Sequence, residues 1–366
     1  MTLMTEMNQK AWELGVPLSV HVDLTYRCNE RCIHCYLDHD DHGEMSTAEI
    51  KRLLDQLAEA GVFFLVFSGG EVFLRRDFFE LVGYARKLLF NVKIKTNAAM
   101  VRDTDARRLR QLGVEQLQVS LYSHRAEIHD AITKLPGSFD RTLHGIRLLK
   151  EHGLKVVIAN VLMTANLADY QAVQALGQEL GVHCTVDPTV SPMMDGDRST
   201  LALNIPGEDL AQVFKDKGLV GDVEEFCAPP RAATQNDLEG YPCSAGHTSC
   251  YVSPYGDVYP CVQFPLTCGN VRQENFLDIW KNAPQFQEVR SIQLKDLPTC
   301  SHCTHGATCT RCPGLAYLEG NMRGPSTADC EKSYRRTGIP SANMVSKGRV
   351  PHAGPLIQIR GIEAGS

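Results

Sequence analysis

Residues 18–40 read LSVHVDLTYRCNERCIHCYLDHD. A β-rich run, LSVHVDL, is followed at once by three closely spaced cysteines: three residues separate Cys28 from Cys32, and two separate Cys32 from Cys35. Three thiolates on a short loop can hold three irons of a cubane cluster and leave the fourth iron open for an outside ligand. The spacing therefore predicts an iron–sulfur site directly after the first strand.

A structural zinc ion is the alternative occupant of this loop. Zinc would need a fourth protein ligand, and three histidines stand nearby, His34, His39 and His42. The loop follows the first strand of a repeating strand–helix pattern, and such folds place their chemistry at the C-terminal ends of the strands. This position favours the iron–sulfur interpretation.

Strand-like and helix-like segments alternate between residues 18 and 190. The strand-like runs are LSVHVDL (18–24), VFFLVFS (62–68), NVKIKTN (91–97), EQLQVSL (115–121), KVVIANVLM (155–163) and VHCTVDP (182–188). The first helix-like segment has a capping box of Ser46 and Glu49 and ends at Gly61. Six strand–helix units in series predict an α/β fold with a parallel sheet, either open or curled into a barrel.

Polar residues follow the predicted strands at the edge where we expect the chemistry. The second strand leads into Ser68-Gly69-Gly70-Glu71, in which glycines allow close backbone approach to a ligand and Glu71 supplies a carboxylate. The next three strands contribute Thr96 and Asn97, Ser120, and Asn160. Together these donors and acceptors suit a polar small molecule.

The combined motifs resemble the radical S-adenosylmethionine (SAM) superfamily: CxxxCxHCY, GGE, TN and a serine after strands one to four. The resemblance covers roughly residues 18–190. It implies a partial (β/α)6, TIM-like barrel with a [4Fe–4S] cluster on Cys28, Cys32 and Cys35, whose open iron chelates the amino and carboxylate groups of SAM. Reductive cleavage of SAM would then yield a 5′-deoxyadenosyl radical that abstracts hydrogen from a substrate.

The same resemblance implies roles for the residues at the strand ends. Gly69, Gly70 and Glu71 would hold the methionine moiety of SAM. Ser120 would lie near the ribose and Tyr36 near the adenine. Thr96, Asn97 and Asn160 would complete the SAM-binding site.

The composition of the chain excludes several classes of function. A net charge of −6 over 366 residues argues against a polyanion-binding surface, and hence against a nucleic-acid partner. No run approaches the roughly 18 apolar residues of a membrane span, and no secretory signal opens the chain. We therefore expect a cytoplasmic protein. Fourteen cysteines in a reducing compartment indicate metal rather than disulfides.

Ten of these cysteines lie between Cys227 and Cys330, in a C-terminal region. Two CxxC pairs allow a zinc-ribbon interpretation, but the region holds more thiols than one zinc needs. Its pattern is similar to the SPASM extension of radical enzymes, an α+β module with two auxiliary iron–sulfur clusters. The resemblance implies one cluster on Cys243, Cys250, Cys261 and Cys312, and a second on Cys300, Cys303, Cys309 and Cys330.

Two departures from the family pattern bear on this assignment. In the family's usual spacing, CxxCxxxxxCxxxC, three residues separate the last two cysteines. Here only two residues separate Cys309 from Cys312. Val262 stands where sulfatase-maturating relatives have an aspartate that serves as a base, which argues against formylglycine formation. Three cysteines belong to none of these clusters. We expect Cys184 to be a core residue, and Cys227 and Cys268 to be free thiols or substitute ligands.

We divide the chain into a lead-in (1–17), the radical SAM partial barrel (18–225), the auxiliary cluster module (226–336) and a tail (337–366). The tail is predicted to be mostly flexible, with one short strand in PLIQIRGIEAG.

Relatives in the family mostly modify ribosomally made peptides, and a peptide is the expected substrate. The first strand starts near residue 18, which predicts that leader recognition needs a separate protein. A flavodoxin or ferredoxin would supply the electron. A haem-biosynthesis-like enzyme acting on a tetrapyrrole is the alternative, and a non-catalytic metal-binding interaction protein is the alternative of another class.

Overall fold

The computed structural model describes residues 2–39 and 41–346. Within them, nine strands form one sheet in the order β6-β5-β4-β3-β2-β1-β7-β8-β9. The strands are β1 (Ser19–Thr25), β2 (Phe64–Gly69), β3 (Asn91–Thr96), β4 (Gln116–Ser120), β5 (Val156–Val161), β6 (His183–Asp187), β7 (Ser249–Val252), β8 (Asp257–Tyr259) and β9 (Gly269–Asn270). All six strands expected in the barrel are present, each within a few residues of its predicted bounds.

The described helices fall into two groups. Those of the barrel half are α1 (Leu3–Leu14), α2 (Thr47–Glu59), α3 (Phe78–Lys87), α4 (Asp103–Leu112), α5 (Ala126–Thr133), α6 (Ser138–Glu151) and α7 (Tyr170–Glu179). Those that follow β6 are α8 (Gly207–Val213), α9 (Lys217–Val220), α10 (Val223–Phe226), α11 (Gln235–Leu238), α12 (Phe276–Asn282), α13 (Pro284–Arg290), α14 (Pro313–Leu318), α15 (Thr327–Thr337) and α16 (Ala342–Ser346). None of these helices is long and apolar enough to cross a membrane.

Strands β1 to β6 are parallel, and each pairs with its neighbours in sequence. Every crossover therefore runs in the same direction, and the C-terminal ends of all six strands meet at one rim. This arrangement confirms the partial (β/α)6 barrel. At one end of the sheet, β6 is the edge strand, and its residues alternate between exposed and half-buried.

Alternation along β1 explains how the sheet is buried. Val20, Val22 and Leu24 are fully buried and belong to the main core, which also contains Leu53 and Leu57 of α2. The residues between them, His21, Asp23 and Thr25, are polar and face the lumen of the barrel. A hydrophobic outer face and a polar lumen leave space inside the barrel for a polar ligand.

Helix α2 begins as the sequence predicts. The backbone N–H of Glu49 donates to Ser46 Oγ at 3.3 Å, and the N–H of Ser46 donates to Glu49 Oε2 at 2.7 Å. The turn after the helix places Gly61 at φ 86°, a region that favours glycine. Arg272, from the C-terminal region, donates to Glu49 Oε1 at 2.9 Å and so attaches that region to the start of the helix.

The C-terminal region extends the barrel sheet. Strand β7 pairs in parallel with β1, with Val20 opposite Cys250, and β8 and β9 continue antiparallel. Strands β7 and β8 form a hairpin, and helix α12 follows β9. The buried Trp280 of α12 donates to the carbonyl of Gly15 at 2.7 Å. The first described strand and the cysteine-rich region therefore share one sheet.

The start of the predicted flexible tail is ordered. Residues 337–346 finish α15 and form α16, and Ser341, Asn343 and Met344 are buried. The backbone N–H of Ala342 donates to Cys303 Sγ at 3.4 Å, and Asn343 Nδ2 donates to Cys330 Sγ at 3.7 Å. The expectation of flexibility is wrong for this part. The predicted short strand lies outside the described residues.

Candidate active site and iron–sulfur sites

A cavity of about 580 Å³ opens at the C-terminal ends of the barrel strands. Of the SAM-contact residues predicted from sequence, all but Glu71 line it: Tyr36, Gly69, Gly70, Thr96, Asn97, Ser120 and Asn160. The three cysteines of the first loop line it too. The fold thus brings together residues that are up to 132 positions apart in sequence, because parallel strands end at one rim.

The cysteine loop leaves β1 without forming a helix until α2 begins. Burial raises the pKa of all three thiols; Cys35 also raises the pKa of Cys28, and Cys28 and Cys35 raise that of Cys32, so the three lie near one another. Burial raises the pKa of Cys28 to about 12, although the backbone N–H of Glu30 opposes this rise. Converging thiols next to a cavity fit a cluster that binds three thiolates and leaves one iron accessible.

The GGE turn packs directly on the start of that loop. The N–H of Gly70 donates to the carbonyl of Thr25 at 2.7 Å, and the N–H of Glu71 donates to that of Arg27 at 2.9 Å. A Cβ atom on Gly69 would lie 2.1 Å from Thr25 O, and one on Gly70 would lie 2.3 Å from Arg27 O. Glycine is therefore required at both positions for the turn to reach the loop.

Glu71 is fully buried behind this turn and does not line the cavity. Its carboxylate accepts hydrogen bonds from Thr96 Oγ1 at 2.8 Å and from the backbone N–H groups of Asn97 and Phe73, at 2.8 and 3.1 Å. Burial raises the pKa of Glu71, and these donors oppose that rise. Direct contact of Glu71 with methionine stays a prediction; the geometry shows the carboxylate holding the ends of β2 and β3 together.

Asn97 links the rim to the cysteine loop. Its Nδ2 donates to Asn29 Oδ1 at 2.9 Å and lies 3.9 Å from Cys28 Sγ. On the other side, Asn160 donates from Nδ2 to the carbonyl of Leu121 at 2.9 Å, while its buried Oδ1 has no hydrogen-bond partner within the described residues. An unsatisfied buried acceptor facing a cavity fits a ligand that donates there, such as a hydroxyl or an amino group.

The first predicted auxiliary set is partly assembled. Cys243 and Cys312 raise the pKa of Cys261, after the larger effect of burial, so these three thiols are close. Cys312 caps α14, where the N–H of Leu315 donates to its Sγ at 3.5 Å. Cys250 is also close to Cys261, but its strongest charged neighbour is Cys268. The choice of Cys250 as the fourth ligand stays a prediction.

The second auxiliary set surrounds its own cavity of about 350 Å³. All four predicted ligands line that cavity, Cys300, Cys303, Cys309 and Cys330, whereas Cys312 does not. The other three thiols raise the pKa of Cys300, which burial brings to about 11. The buried Arg311 lies between the sets, because both Cys300 and Cys312 raise its pKa against the effect of burial. Cys312 therefore lies apart from Cys300, Cys303 and Cys309, which precede it in the sequence. The resemblance implies the same separation.

The three unassigned cysteines have separate surroundings. Cys184 is half-buried and packs against the main core, as expected. Cys227 donates to the carbonyl of Phe214 at 3.4 Å, and Cys268 is buried beside Cys250 and Arg290.

Within the described part of the chain, no three histidine, cysteine or acidic side chains converge tightly enough to hold a single metal ion.

Comparisons with known proteins agree with this architecture. Residues 22–174 match the Radical SAM superfamily, and residues 243–304 match the SPASM iron–sulfur cluster-binding domain. The AdoMet-dependent heme synthase of Methanosarcina barkeri is 30% identical over 326 residues, which cover 83% of this chain and 93% of that enzyme. The chain belongs to the radical SAM superfamily. It is an iron–sulfur enzyme that uses SAM.

Two further relatives of this radical SAM enzyme cover most of its length. The mycofactocin maturase MftC of Mycobacterium tuberculosis is 28% identical over 93% of this chain and 89% of MftC. The crystal structure of Streptococcus suis SuiB bound to precursor peptide SuiA superposes with a TM-score of 0.70 at 19% identity, over 88% of this chain and 78% of SuiB. The second comparison shows a shared fold.

The radical SAM cavity also includes residues from the C-terminal region. Val262 and Gln263, which follow Cys261, line it, and Gln263 Nε2 donates to Ser191 Oγ at 2.7 Å. The position where sulfatase-maturating relatives would carry an aspartate therefore faces the cavity, and here it offers only an apolar side chain. This supports the argument against formylglycine formation.

Several residues that line the cavity were not predicted from the sequence, among them Lys95, Gln118 and Tyr122. Lys95 and Gln118 could have been predicted from the alternation of residues along their strands. In NVKIKTN, Val92 and Ile94 are buried in the core, so Lys95 faces the lumen. Gln118 lies on the lumen side of β4, opposite Lys95 in the register. Tyr122 follows the strand in a loop, and no periodic pattern indicates its orientation.

Proposed function

We propose that this enzyme modifies a residue of a ribosomally made peptide by radical chemistry. The observation that carries the proposal is the size of the cavity. Its volume of about 580 Å³ lies within the range that one drug-sized ligand fills, roughly 300–1,000 Å³. SAM alone takes much of that space, so what is left suits one inserted side chain or chain end better than an enclosed macrocycle.

Two relatives support a peptide substrate. MftC is named a maturase, and SuiB was solved with a precursor peptide. A peptide can leave most of its length outside the cavity and insert only the residue to be modified, with the cavity wall at Val262 and Gln263 beside it. The substrate class, the modified residue and the final reaction together form the proposal.

The residues of the rim have distinct proposed roles. A reduced cluster bound there would supply the electron for reductive cleavage of SAM, from which the hydrogen-abstracting radical would come. Cys28, Cys32 and Cys35 would hold this cluster. Gly69 and Gly70 would present backbone groups to the methionine moiety. Thr96, Asn97, Ser120, Asn160 and Tyr36 would contact the rest of SAM.

Glu71 would act as a positioning residue, because its carboxylate holds Thr96 and Asn97. The lumen residues around them exclude water and stray hydrogen donors from the radical.

The auxiliary sites would carry an electron away from the substrate radical. For the second site we propose Cys300, Cys303, Cys309 and Cys330, and for the first Cys243, Cys250, Cys261 and Cys312. We further propose a flavodoxin or ferredoxin as electron donor, a separate leader-recognition protein, and a cytoplasmic location.

A tetrapyrrole substrate is the second candidate. The observation that favours it is the 30% identity to the heme synthase of Methanosarcina barkeri over 93% of that enzyme. A flat macrocycle would have to displace side chains that line the cavity, such as Met193 and Met194.

One experiment separates the two candidates. The anaerobically reconstituted enzyme is incubated with SAM and dithionite, and with either a short peptide encoded beside its gene or an iron porphyrin with propionate side chains. We expect a mass change in the peptide and stoichiometric 5′-deoxyadenosine. A mass change in the porphyrin, with the peptide unchanged, would reject the proposal.

A further inference from the structure

Lys95 brings an amino group without a hydrogen-bond or ion-pair partner among the described residues into the cavity. It is the penultimate residue of β3, and its side chain is accessible within the cavity that Thr96 and Asn97 also line. Lys95 makes no hydrogen bond and no ion pair with any residue between 2 and 39 or 41 and 346. A lysine inside a barrel without a partner is costly unless something else supplies the opposite charge.

The carboxylate that attracts Lys95 most strongly, that of Asp23, already has other partners. Asp23 is fully buried, and it accepts from Tyr251 Oη at 2.8 Å and contacts His21 Nε2 at 2.9 Å. Asp23 and Cys261 both attract the Lys95 ammonium, but neither forms a contact with it. Lys95 lines the same cavity as the proposed SAM-contact residues and as Val262 and Gln263.

A neutral hydrogen-bonding group stands beside the charge. Gln118 is opposite Lys95 in the β3–β4 register and lines the same cavity. Its side-chain amide makes no hydrogen bond within the described part of the chain. An ammonium flanked by a free amide matches the two oxygens of a carboxylate, which accept charge-assisted hydrogen bonds.

We propose that Lys95, together with Gln118, binds a carboxylate of the substrate and so places the neighbouring C–H bond for hydrogen abstraction. The proposal rests on the proposed peptide function for its source of carboxylate, which is either the C-terminus of the peptide or an acidic side chain. Lys95 is thus a specificity-determining residue for an anionic substrate group, in a cavity that the carboxylates of Glu30 and Asp187 also line.

The test uses SAM-loaded holoenzyme and small probes. Anaerobic equilibrium dialysis compares propionate with propionamide, which have similar size and differ in charge. We expect propionate to bind about tenfold more tightly or better, the range of a charge-assisted hydrogen bond. Lys95→Met should remove this preference and Lys95→Arg should keep part of it. Lys93→Met is the matched control, because Lys93 lies two residues earlier on the same face, over the Phe64 ring, and does not line the cavity.

Three peptides then identify the source of the carboxylate: N-acetyl-Gly-Gly-Phe, its C-terminal amide, and N-acetyl-Gly-Glu-Phe amide. Tighter binding of the first assigns a C-terminal carboxylate, and tighter binding of the third an acidic side chain. If propionate binding depends on Lys95 but no peptide binds, the Lys95 assignment stands and the peptide function fails. If the peptides bind equally whatever their charge, the Lys95 assignment fails and the peptide function stands.

Two further results would overturn the proposal. One is a weaker SAM affinity in Lys95→Met, because the lysine would then serve the carboxylate of SAM. The other is unchanged propionate binding with an altered electron paramagnetic resonance spectrum of an auxiliary cluster, because Lys95 would then balance the charge at Cys261.

Discussion

The phenolic oxygens of Tyr26 and Tyr251 lie 2.6 Å apart in a buried contact. Tyr26 stands two residues before Cys28, and Tyr251 belongs to β7 of the C-terminal region. Tyr251 Oη donates a hydrogen bond to Asp23 Oδ2 on β1 at 2.8 Å. The two tyrosines therefore connect the loop of the first cluster to the region of the auxiliary clusters through a buried polar chain.

Replacing Tyr251 with phenylalanine should destabilise the protein by about 1–3 kcal/mol, because the Asp23 carboxylate and the Tyr26 hydroxyl each lose a buried partner. The melting temperature of the holoenzyme, measured anaerobically, checks this. Tyr334→Phe is the control, since the Tyr334 hydroxyl has no hydrogen-bond partner within the described residues. Equal melting temperatures for the two variants would show that the buried chain contributes nothing to stability.

Gly70→Ala should abolish SAM cleavage while the protein stays folded. The new methyl group would clash with Arg27 O at 2.3 Å and push the GGE turn away from the cysteine loop. The assay is 5′-deoxyadenosine formation with dithionite. Gly83→Ala is the matched control, because a Cβ there meets only Leu112 at an ordinary 3.5 Å. Normal cleavage by Gly70→Ala would mean that the turn can shift without cost.

Glu71→Ala should weaken SAM binding by about 10–150-fold, corresponding to about 1.5–3 kcal/mol for the lost charge-assisted hydrogen bonds. The variant leaves the Thr96 hydroxyl and the Asn97 N–H without an acceptor, so both proposed SAM-contact residues lose their support. Equilibrium dialysis with labelled SAM gives the affinity. Glu71→Gln keeps an acceptor and should lose less. An unchanged Kd in Glu71→Ala would remove this residue from the site.

The Cys28/Cys32/Cys35→Ala variant should keep about two of three [4Fe–4S] clusters, because its thiols are separate from both auxiliary sets. Iron and sulfide analysis after anaerobic reconstitution gives the count. Cys184→Ala should keep all three, since Cys184 packs against the core away from the other sets. Loss of nearly all iron from the triple variant would contradict the assignment of a separate cluster to the first loop.

Cys303→Ala combined with Cys309→Ala should stop product formation and leave SAM cleavage without substrate intact. These thiols line the second auxiliary cavity and not the barrel cavity, so the first cluster keeps its surroundings. Product and 5′-deoxyadenosine are measured side by side.

Cluster binding also supports folding, so circular dichroism and gel filtration must first show an intact protein. Cys227→Ala is the control variant, because it removes a thiol that belongs to neither auxiliary cluster set. Product at the wild-type rate from the folded double variant would leave the second cluster a structural role at most.

The barrel was predictable because its signals are local and repeated. Six runs of β-rich residues, the Ser46–Glu49 capping box and the cysteine spacing each follow from neighbouring residues, and the fold then brings the strand ends together. The burial of Glu71 was not predictable, since it depends on how two adjacent turns pack. The same holds for the pairing of β7 with β1, where the partners Val20 and Cys250 lie 230 residues apart and no short-range pattern encodes their register.

The pairing of β7 with β1 has a consequence for how the gene can be divided. Without β7, the seven-residue strand β1 would present a row of unpaired backbone groups to solvent, which is a template for self-association. A chain that stops before residue 249 should therefore form soluble aggregates or inclusion bodies, even though all six barrel strands are complete. The C-terminal region therefore covers an edge of the barrel sheet that would otherwise be open, and the barrel half should not be expressible without it.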